Sequence, residues 1–413
     1  MAKLEFKDLK FRDLEKENCI EVIFLRQYSF NLDKKDLGRI GKFVINKDLC
    51  EESIKESNRT IEFPEEPQET AERKFYSLLY KGFLNLKNKF NKKPATYIHR
   101  NSGIPLIGHV SFGIIDRGTN VIEIKPQTGC NIKCIYCSVN EDIRPHDFVI
   151  EKDYLVEESI KVIEQKKGLV DLHIGSSSEV FMYEPIYELL EELAAHHQVN
   201  KIAISTNGMY LTEKIIDKLG EITQGKIRLN ISLNAITKEK ASLIAGVPYP
   251  VERVKKICAY IQKNPKVELI IAPVWMNRIN DDELELLVKF SKEIGATLMV
   301  QNFLNYKRGR NPVKEVEFET FAEKLQPLEK KYDITLLHSE LPETYKKSTS
   351  LPRPFRKNQV IEAEFVGPGR FPGEKIAAAQ NRIISFYGEI PGKKSIRLRI
   401  TRAKNNMFVG EAV

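Results

Sequence analysis

The sequence predicts an α/β protein: a partial barrel of six parallel βα units, (β/α)6, with an α+β extension before it and a small β-barrel after it. Three observations carry this prediction. Between residues 121 and about 345, strand-like and helix-like segments alternate in six rounds spaced about 25 to 40 residues apart, the pattern of parallel βα units. Near residue 345 the alternation stops at Ser348-Thr349-Ser350-Leu351-Pro352-Arg353-Pro354, which reads as a linker. Beyond it, short apolar runs separated by Gly/Pro turns fill about sixty residues, which suits a small closed barrel. The expected domains are therefore 1–120, 121–345 and 352–413.

In the first of these, Cys19 to Leu25 reads as a strand and Glu51 to Thr70 as a polar loop. Ala71 to Phe90 reads as a helix, because Phe75, Leu78, Leu79, Phe83, Leu84 and Leu86 recur at helical spacing. Ile107 to Ile115 and Asn120 to Ile124 read as strands joined by a turn at Asp116-Arg117-Gly118-Thr119. In the central part the expected strands are 121–124, 170–174, 201–205, 227–233, 267–275 and 296–303. The helices between them are 153–167, 184–197, 212–219, a helical stretch through Gln262, and 281–294. Six units do not close an eight-stranded barrel. Right-handed crossovers place the helices outside and gather the strand C-termini on one face, where functional residues belong. In the last part the strands are 360–366, 375–379, 382–386, 395–400 and 407–409.

Composition narrows the function classes. The chain has 413 residues, 42% hydrophobic and 30% charged, which describes a globular protein of two or three domains. Met1 to Asp8 contains no apolar signal core, and no window approaches the ~18 apolar residues of a membrane span, so a cytoplasmic protein with no membrane partner is expected. The net charge of +8 is unevenly placed. Pro352 to Val413 holds twelve basic and five acidic residues, a net +7, and such a tail points to a polyanionic partner.

The six cysteines are uneven too. Cys130, Cys134 and Cys137 stand at spacing C-x3-C-x2-C at the end of the first strand of the βα series, while Cys19, Cys50 and Cys258 are scattered. A tight cluster of cysteines in a chain this size reads as metal-binding in a reducing compartment. Three thiolates on a cubane iron–sulfur cluster leave one iron without a protein ligand, and an open position suits catalysis. The competing zinc site needs four ligands, and no second pair of cysteines is present. Cys258, in helical text, reads as a core thiol, and His173 as a packed or hydrogen-bonded residue.

Cys130-x3-Cys134-x-Tyr136-Cys137 resembles the signature of the radical S-adenosylmethionine superfamily, and the βα units that follow support the resemblance over about residues 121 to 310. It implies a TIM-like partial barrel, one 4Fe-4S cluster on the three cysteines, and S-adenosylmethionine bound to the open iron. It also implies reductive cleavage to a 5′-deoxyadenosyl radical that abstracts hydrogen from substrate, and an electron donor yet to be identified. Cofactor contacts carry over residue by residue. Tyr136 stands beside the cluster loop. Gly175-Ser176-Ser177-Ser178-Glu179 stands where the family has Gly-Gly-Glu, so Glu179 would take the methionyl amino group. Ser205-Thr206-Asn207-Gly208 resembles the edge beside the methionine carboxylate, through Ser205 and Asn207. Ser232-Leu233-Asn234-Ala235 resembles a ribose-contacting Ser-Leu-Asp-Ala, with Asn234 in place of aspartate. Ala272 to Arg278 resembles the adenine-packing strand. No catalytic residue is assigned.

Gln301, Asn302, Lys307 and Arg310 follow the sixth strand and could face substrate, with a solvated basic loop the favoured reading of Lys307 and Arg310. The tail, Val360 to Arg370 and Ile396 to Lys404, resembles a TRAM domain, an OB-like RNA-binding barrel, and its period-2 alternation turns Arg397 and Arg399 outward together. The whole order resembles an archaeal group of predicted Fe–S oxidoreductases. The first expectation is a radical enzyme that modifies tRNA or another RNA. The alternatives are a radical enzyme acting on a small metabolite or cofactor precursor, with the tail used in packing, and an RNA-binding protein with a structural or sensing cluster.

Overall fold

A computed structural model describes residues 1–45, 59–175, 177–338, 345–389 and 394–413. The chain divides into two compact units, Met1–Ile98 with Pro145–Val149, and His99–Arg144 with Ile150–Val413.

The first unit holds a four-stranded antiparallel sheet of Leu9–Leu14, Cys19–Phe24, Tyr28–Asp33 and Lys87–Asn88, and a three-stranded sheet of Ala2–Glu5, Thr60–Phe63 and Val44–Ile45. Its longer helix, Gln68–Phe83, buries Ala71, Phe75, Leu79 and Gly82 along one stripe. Phe75 meets the rings of Phe6, Phe11 and Phe63 at 5.7 to 6.0 Å. The loop expected over Glu51 to Thr70 is corrected where it is described: Thr60–Phe63 is a strand whose alternate residues Ile61 and Phe63 are fully buried, and the helix begins at Gln68. Residues 51–58 and Cys50 lie outside the described residues.

The second unit is organised by a seven-stranded sheet: β1 (Gly113–Asp116), β2 (Val121–Lys125), β3 (Val170–Ile174), β4 (Val199–Thr206), β5 (Ile227–Ile231), β6 (Val267–Ile271) and β7 (Thr297–Leu298), in that spatial order. β1 pairs with β2 antiparallel through the foreseen turn, and β2 to β7 run parallel. These are the six expected strands of the partial barrel. Residues 99–120 go with this unit, because the β1–β2 hairpin extends its sheet. Ile122, Ile124, Leu172, Ile174, Ile202, Ile204, Leu229 and Ile231 are fully buried on one face of the sheet. That uninterrupted apolar face is what a sheet covered by crossover helices requires.

The fifth and sixth strands are each broken, where continuous strands over 267–275 and 296–303 were expected. Val274–Trp275 and Gln301–Asn302 form a separate parallel pair, and Pro273, which lacks an N–H, interrupts the ladder. The expected helix through Gln262 is two helices, Lys238–Ala245 and Val251–Lys263, parted by Gly246-Val247-Pro248-Tyr249-Pro250. Phe318–Tyr332 is a helix that the sequence did not suggest, since Pro327 lies inside it and only Phe321 and Leu325 are buried.

Past residue 345, Val360–Pro368, Lys375–Ala379, Arg382–Tyr387, Met407–Ala412 and Ser395–Lys404 close into a five-stranded barrel around Ile384, Phe386, Leu398, Ile400 and Phe408. The segment read as a linker is tied down. Lys166 Nζ, buried, bonds Asp116 Oδ1 (2.5 Å) and the Thr349 carbonyl (2.7 Å), and Asp116 Oδ2 accepts from Leu351 N (2.9 Å). The barrel itself is seated on the core through Ile383 N to the Ile107 carbonyl (2.8 Å). Gly108 must be glycine there: its φ is +120°, and a Cβ would stand 2.5 Å from the Ile383 carbonyl oxygen. Among the described residues, no helix is long and apolar enough to cross a membrane.

Candidate active site

The loop after β2 carries Cys130, Cys134 and Cys137 into a cleft of about 180 Å³ at the C-terminal ends of β3, β4 and β5. Tyr136, Gly175, Glu179, Ser205, Thr206, Asn207, Ser232 and Arg310 also line it. This is where parallel βα units place functional groups. The cysteine loop has no regular structure of its own, so its carbonyls and amides are held from four sides. Lys133 N and Ile135 N donate to the Ala245 and Ile244 carbonyls at the end of a helix (2.8 and 3.0 Å). Gly246 caps that helix at φ +65°, and a Cβ there would sit 2.4 Å from the Lys133 carbonyl oxygen, so only glycine lets the loop approach. Glu179 N donates to the Gly129 carbonyl (2.9 Å), and Asn207 Nδ2 to Asn131 Oδ1 (2.8 Å). Arg310 closes the fourth side, with its N on the Cys137 carbonyl (2.8 Å) and its Nη1 on the Cys134 carbonyl (3.2 Å).

All three thiols are free of disulfides. Burial pushes each of them up, Cys134 to about 12, and the neighbouring Cys137 adds to the effect on Cys134. A cluster bound here would supply the positive charge that holds these thiols as thiolates, since a metal deprotonates a coordinating thiol outright. Among the described residues, no three of His, Cys, Asp or Glu converge as ligands of a single ion. A cubane cluster takes one thiolate on each of three irons, and the three cysteines of this loop supply that number.

The other expected contacts divide. Glu179 is 1% exposed and lines the cleft. Its carboxylate accepts from Thr206 Oγ1 (2.8 Å), Asn207 N (3.0 Å) and Phe181 N (3.2 Å), leaving capacity for about one more donor of the four a carboxylate can accept. Burial raises its pKa. Ser205 and Ser232 face the cleft, and His173 Nε2 meets Ser205 Oγ at 3.1 Å, the hydrogen-bonded role expected of that histidine. Asn207 spends its side chain on Asn131 and on Met209 N (2.9 Å). Asn234 is a brace: Nδ2 donates to Tyr136 Oη (2.9 Å) and the Ser232 carbonyl (3.0 Å), and Oδ1 accepts from Val274 N (2.8 Å). It thereby joins the cluster loop to the fourth and fifth parallel strands.

Gln301 is exposed and Asn302 Nδ2 is bound to the Val316 carbonyl (2.9 Å); neither lines the cleft. Lys307 is exposed, as a solvated loop residue should be, but Arg310 is not solvated: it grips the cluster loop and pairs with Asp142 (2.8 Å). Its role lay 173 residues beyond Cys137, with no local signal to find it. Thr206 and Tyr249, whose Oη donates to the Asn207 carbonyl (2.6 Å), were also missed; Thr206 was at least inside a quoted motif. Cys258 is fully buried in a helix, a core thiol as expected.

Arg397 and Arg399 project from the barrel, outside the cleft, and acids face both. Arg397 stands opposite Glu362 across the strands, and Arg399 Nη1 lies 3.4 Å from Glu411 Oε1. Lys394 pairs with Glu364 beside them.

Residues 124–291 match the Radical SAM superfamily. An uncharacterized protein of Methanocaldococcus jannaschii is 32% identical over 369 residues, covering 80% of this chain and 83% of that protein. GTP 3′,8-cyclase of Listeria monocytogenes is 31% identical over 179 residues, 42% of this chain, and the chain spans 50% of that enzyme. Streptococcus suis SuiB bound to S-adenosylmethionine aligns with a TM-score of 0.43 at 16% identity, over 83% of this chain and 74% of that one.

Proposed function

Because the chain belongs to the radical SAM superfamily, we propose that it is an enzyme that applies the family's chemistry to a small metabolite or cofactor precursor held over the parallel sheet. The family's cofactors, one 4Fe-4S cluster and S-adenosylmethionine, supply a 5′-deoxyadenosyl radical that removes a hydrogen atom from substrate. In this chain Cys130, Cys134 and Cys137 would hold the cluster, Glu179 would accept from the methionyl ammonium, and Ser205 and Ser232 would offer hydroxyls to the cofactor's polar edge. Arg310, Asn131 and Asn234 keep the loop in place, and the apolar outer face of the sheet holds the rigid frame behind it. An electron donor is required, and a reducing, cytoplasmic setting suits the free thiols.

One observation carries the preference for a small substrate. Five of the tail's twelve basic residues face its own acids or turn toward the core. Arg370 and Arg382 are 3% and 8% exposed, Arg382 Nη2 donates to the Pro352 carbonyl (3.0 Å), and Arg397, Arg399 and Lys394 all face acids. The patch where Arg397, Arg399 and Lys394 meet acids attracts phosphates more weakly than unopposed cations would. The similarity to GTP 3′,8-cyclase, an enzyme named for a nucleotide, points the same way. The second reading, modification of tRNA or another RNA, is favoured by Arg353, Arg356, Lys357, Arg402 and Lys404, which are exposed on or just before the barrel.

The test uses full-length protein, reconstituted and reduced without oxygen, with S-adenosylmethionine and either a low-molecular-weight cell extract or total tRNA. Formation of 5′-deoxyadenosine should rise with the extract. A rise with tRNA alone would replace the proposal with the RNA reading. No 5′-deoxyadenosine under any condition would leave a structural or sensing cluster.

A further inference from the structure

Past Gln301–Asn302 the chain enters a loop in which the eleven residues from Leu304 to Lys314 hold four cations, Lys307, Arg308, Arg310 and Lys314, and no acid. Side-chain amides and one carboxylate fold this loop into a compact turn. Glu315 Oε2 accepts from Asn305 N (2.7 Å), and Asn305 Oδ1 accepts from Glu315 N (2.6 Å). Asn311 Oδ1 accepts from Tyr306 N (3.1 Å), and Asn311 Nδ2 donates to the Tyr306 carbonyl (2.9 Å). Bonds between side chains and nearby backbone hold such a loop in one shape without a helix or strand. Its inner edge rests on the cysteine loop, with Arg310 N on the Cys137 carbonyl (2.8 Å) and Asn140 N on the Arg308 carbonyl (3.1 Å). Among residues 304–314 only Arg310 lines the cleft, and the others lie outside it.

Four large apolar side chains stand exposed in this loop or beside it. Leu304 and Tyr306 belong to it, Tyr387 lies by the Arg308 guanidinium (5.4 Å), and Ile143 follows Asp142, the ion-pair partner of Arg310; all are 39 to 50% exposed. The acids of the cysteine loop are already engaged, Glu141 with Arg144 (2.9 Å) and Asp142 with Arg310 (2.8 Å). Lys307 and Lys314 are exposed and enter no ion pair among the described residues, and Arg308 lies over the rings of Phe371 (4.1 Å) and Tyr387. Glu315 alone opposes these three cations within 304–315, which leaves a net +2 once Arg310 is counted as paired. At the edge, Lys375, bound to the Gly388 carbonyl (2.6 Å), offsets Glu389. Exposed tyrosine and arginine within a rim of unopposed lysines is the composition of a protein–protein contact that selects an acidic partner.

We propose that this surface is where the electron donor docks, and that the donor is a small acidic protein carrying a one-electron centre. The proposal rests on the reading that Cys130, Cys134 and Cys137 hold a reducible cluster. One electron leaves the carrier, which is oxidised, and enters the cluster, which is reduced; no atom is transferred. An electron can cross the backbone of the cysteine loop, whereas a substrate has to enter the cleft. That difference favours a carrier over RNA on a surface that adjoins the cysteines from outside the cleft. The patch is small, as redox encounters are, which bury less than about 1,200 Å² and depend on charge to bring the partners together.

Stopped-flow mixing tests it on the full-length, reconstituted protein saturated with S-adenosylmethionine. The probe is an acidic flavodoxin, fully reduced, whose flavin changes colour as it loses one electron. The second-order rate constant should fall steeply with ionic strength, and about fivefold or more in each of Lys307→Glu and Lys314→Glu. Lys214→Glu, the same charge change at an exposed site on an outer helix, should match the parent. Photoreduced deazaflavin, small and neutral, should reduce the parent and every variant equally; slower reduction of the lysine variants by this reagent too would place their effect on the cluster and overturn the docking site. No electron transfer from flavodoxin to a parent protein that deazaflavin reduces, or equal flavodoxin rates in the parent and both lysine variants, also overturns it. Total tRNA that slowed the parent's reaction and not that of the lysine variants would assign the loop to RNA instead. The flavin reports the electron whether or not 5′-deoxyadenosine forms, so failure of the docking site is distinct from failure of the radical chemistry.

Discussion

Arg310→Met should loosen the cluster without unfolding the protein. The substitution keeps the aliphatic stem and removes the guanidinium, while the backbone bond from residue 310 N to the Cys137 carbonyl survives. Two contacts are lost: Nη1 to the Cys134 carbonyl (3.2 Å) and the pair with Asp142 (2.8 Å). The Asp142 side chain is 64% exposed, so that pair is worth at most about 1 kcal/mol. A bond from a charged donor to a partly buried carbonyl is worth about 1.5 to 3 kcal/mol. Taken together at about 2 kcal/mol, the loss corresponds to roughly 30-fold in the equilibrium that releases iron from the loop. The assay follows the cluster's visible absorbance during anaerobic titration with an iron chelator, with far-ultraviolet circular dichroism as the folding control. The midpoint should fall by about that factor, and Arg310→Lys, which keeps the charge but loses the fork, should lie between. Cluster retention equal to the parent protein, with only substrate affinity reduced, would refute the clamp and return Arg310 to the substrate side.

Three further outcomes are expected. Cys134→Ala should abolish both the cluster absorbance and 5′-deoxyadenosine formation while the melting profile stays cooperative; a fully loaded cluster in that variant would exclude the three-cysteine site. Asn234→Asp, although it restores the residue commoner in the family, should lower stability by about 1 to 3 kcal/mol, because a carboxylate cannot donate to the Ser232 carbonyl as Asn234 Nδ2 does; an unchanged melting temperature would show that the brace contributes nothing. Lys125 sets a pH dependence. Its folded value, about 8, is below the ordinary 10.5, so above pH 8 the unfolded chain binds more protons than the folded one and stability rises with pH. The difference between the parent protein and Lys125→Met should therefore shift in favour of the parent, by up to about 3 kcal/mol, between pH 8 and 10.5 in urea unfolding. A pH-independent difference would mean that Lys125 is not held in a depressed state.

The C-terminal truncation that would seem the natural way to separate an RNA-binding tail from a catalytic core is a poor instrument here. Removing residues 352–413 would strip the Ile383 contact from Ile107, the Arg370 contact from Ser111, and the rings of Phe371 and Tyr387 from Arg308, whose guanidinium sits 4.1 and 5.4 Å from their centroids. Arg308 and Arg310 share one short loop, and the Arg308 carbonyl accepts from Asn140 N just past the cysteines (3.1 Å). Damage to the barrel would be felt at the cluster, so point substitutions on its exposed cations are the cleaner probe.

Much of this molecule is written locally. Six parallel strands, the closed five-stranded barrel and the three-cysteine loop at a strand end all follow from patterns a few residues long: period 2 in Ser395 to Ile400, apolar runs such as Ile202 to Ile204, and the C-x3-C-x2-C spacing itself. The broken end of the fifth strand was legible in Pro273, and the split helix in Gly246 to Pro250, for the same reason: each is a property of a residue's own backbone.

What holds the cluster loop in place is not local. Arg310, Ile244 and Ala245 reach it from more than a hundred residues away, and the folded chain alone determines that Glu179 meets Thr206 and that Asn234 meets Tyr136. The tail shows the difference most clearly. Its net charge of +7 is a property of the sequence, but whether that charge is offered to a partner depends on what stands across from each arginine. Cross-strand pairing sets Glu362 against Arg397 and Glu411 against Arg399, and packing turns Arg370 inward beside Ser111. Charge can be counted along a chain; its availability is a matter of distance and solvent, which only the tertiary structure supplies.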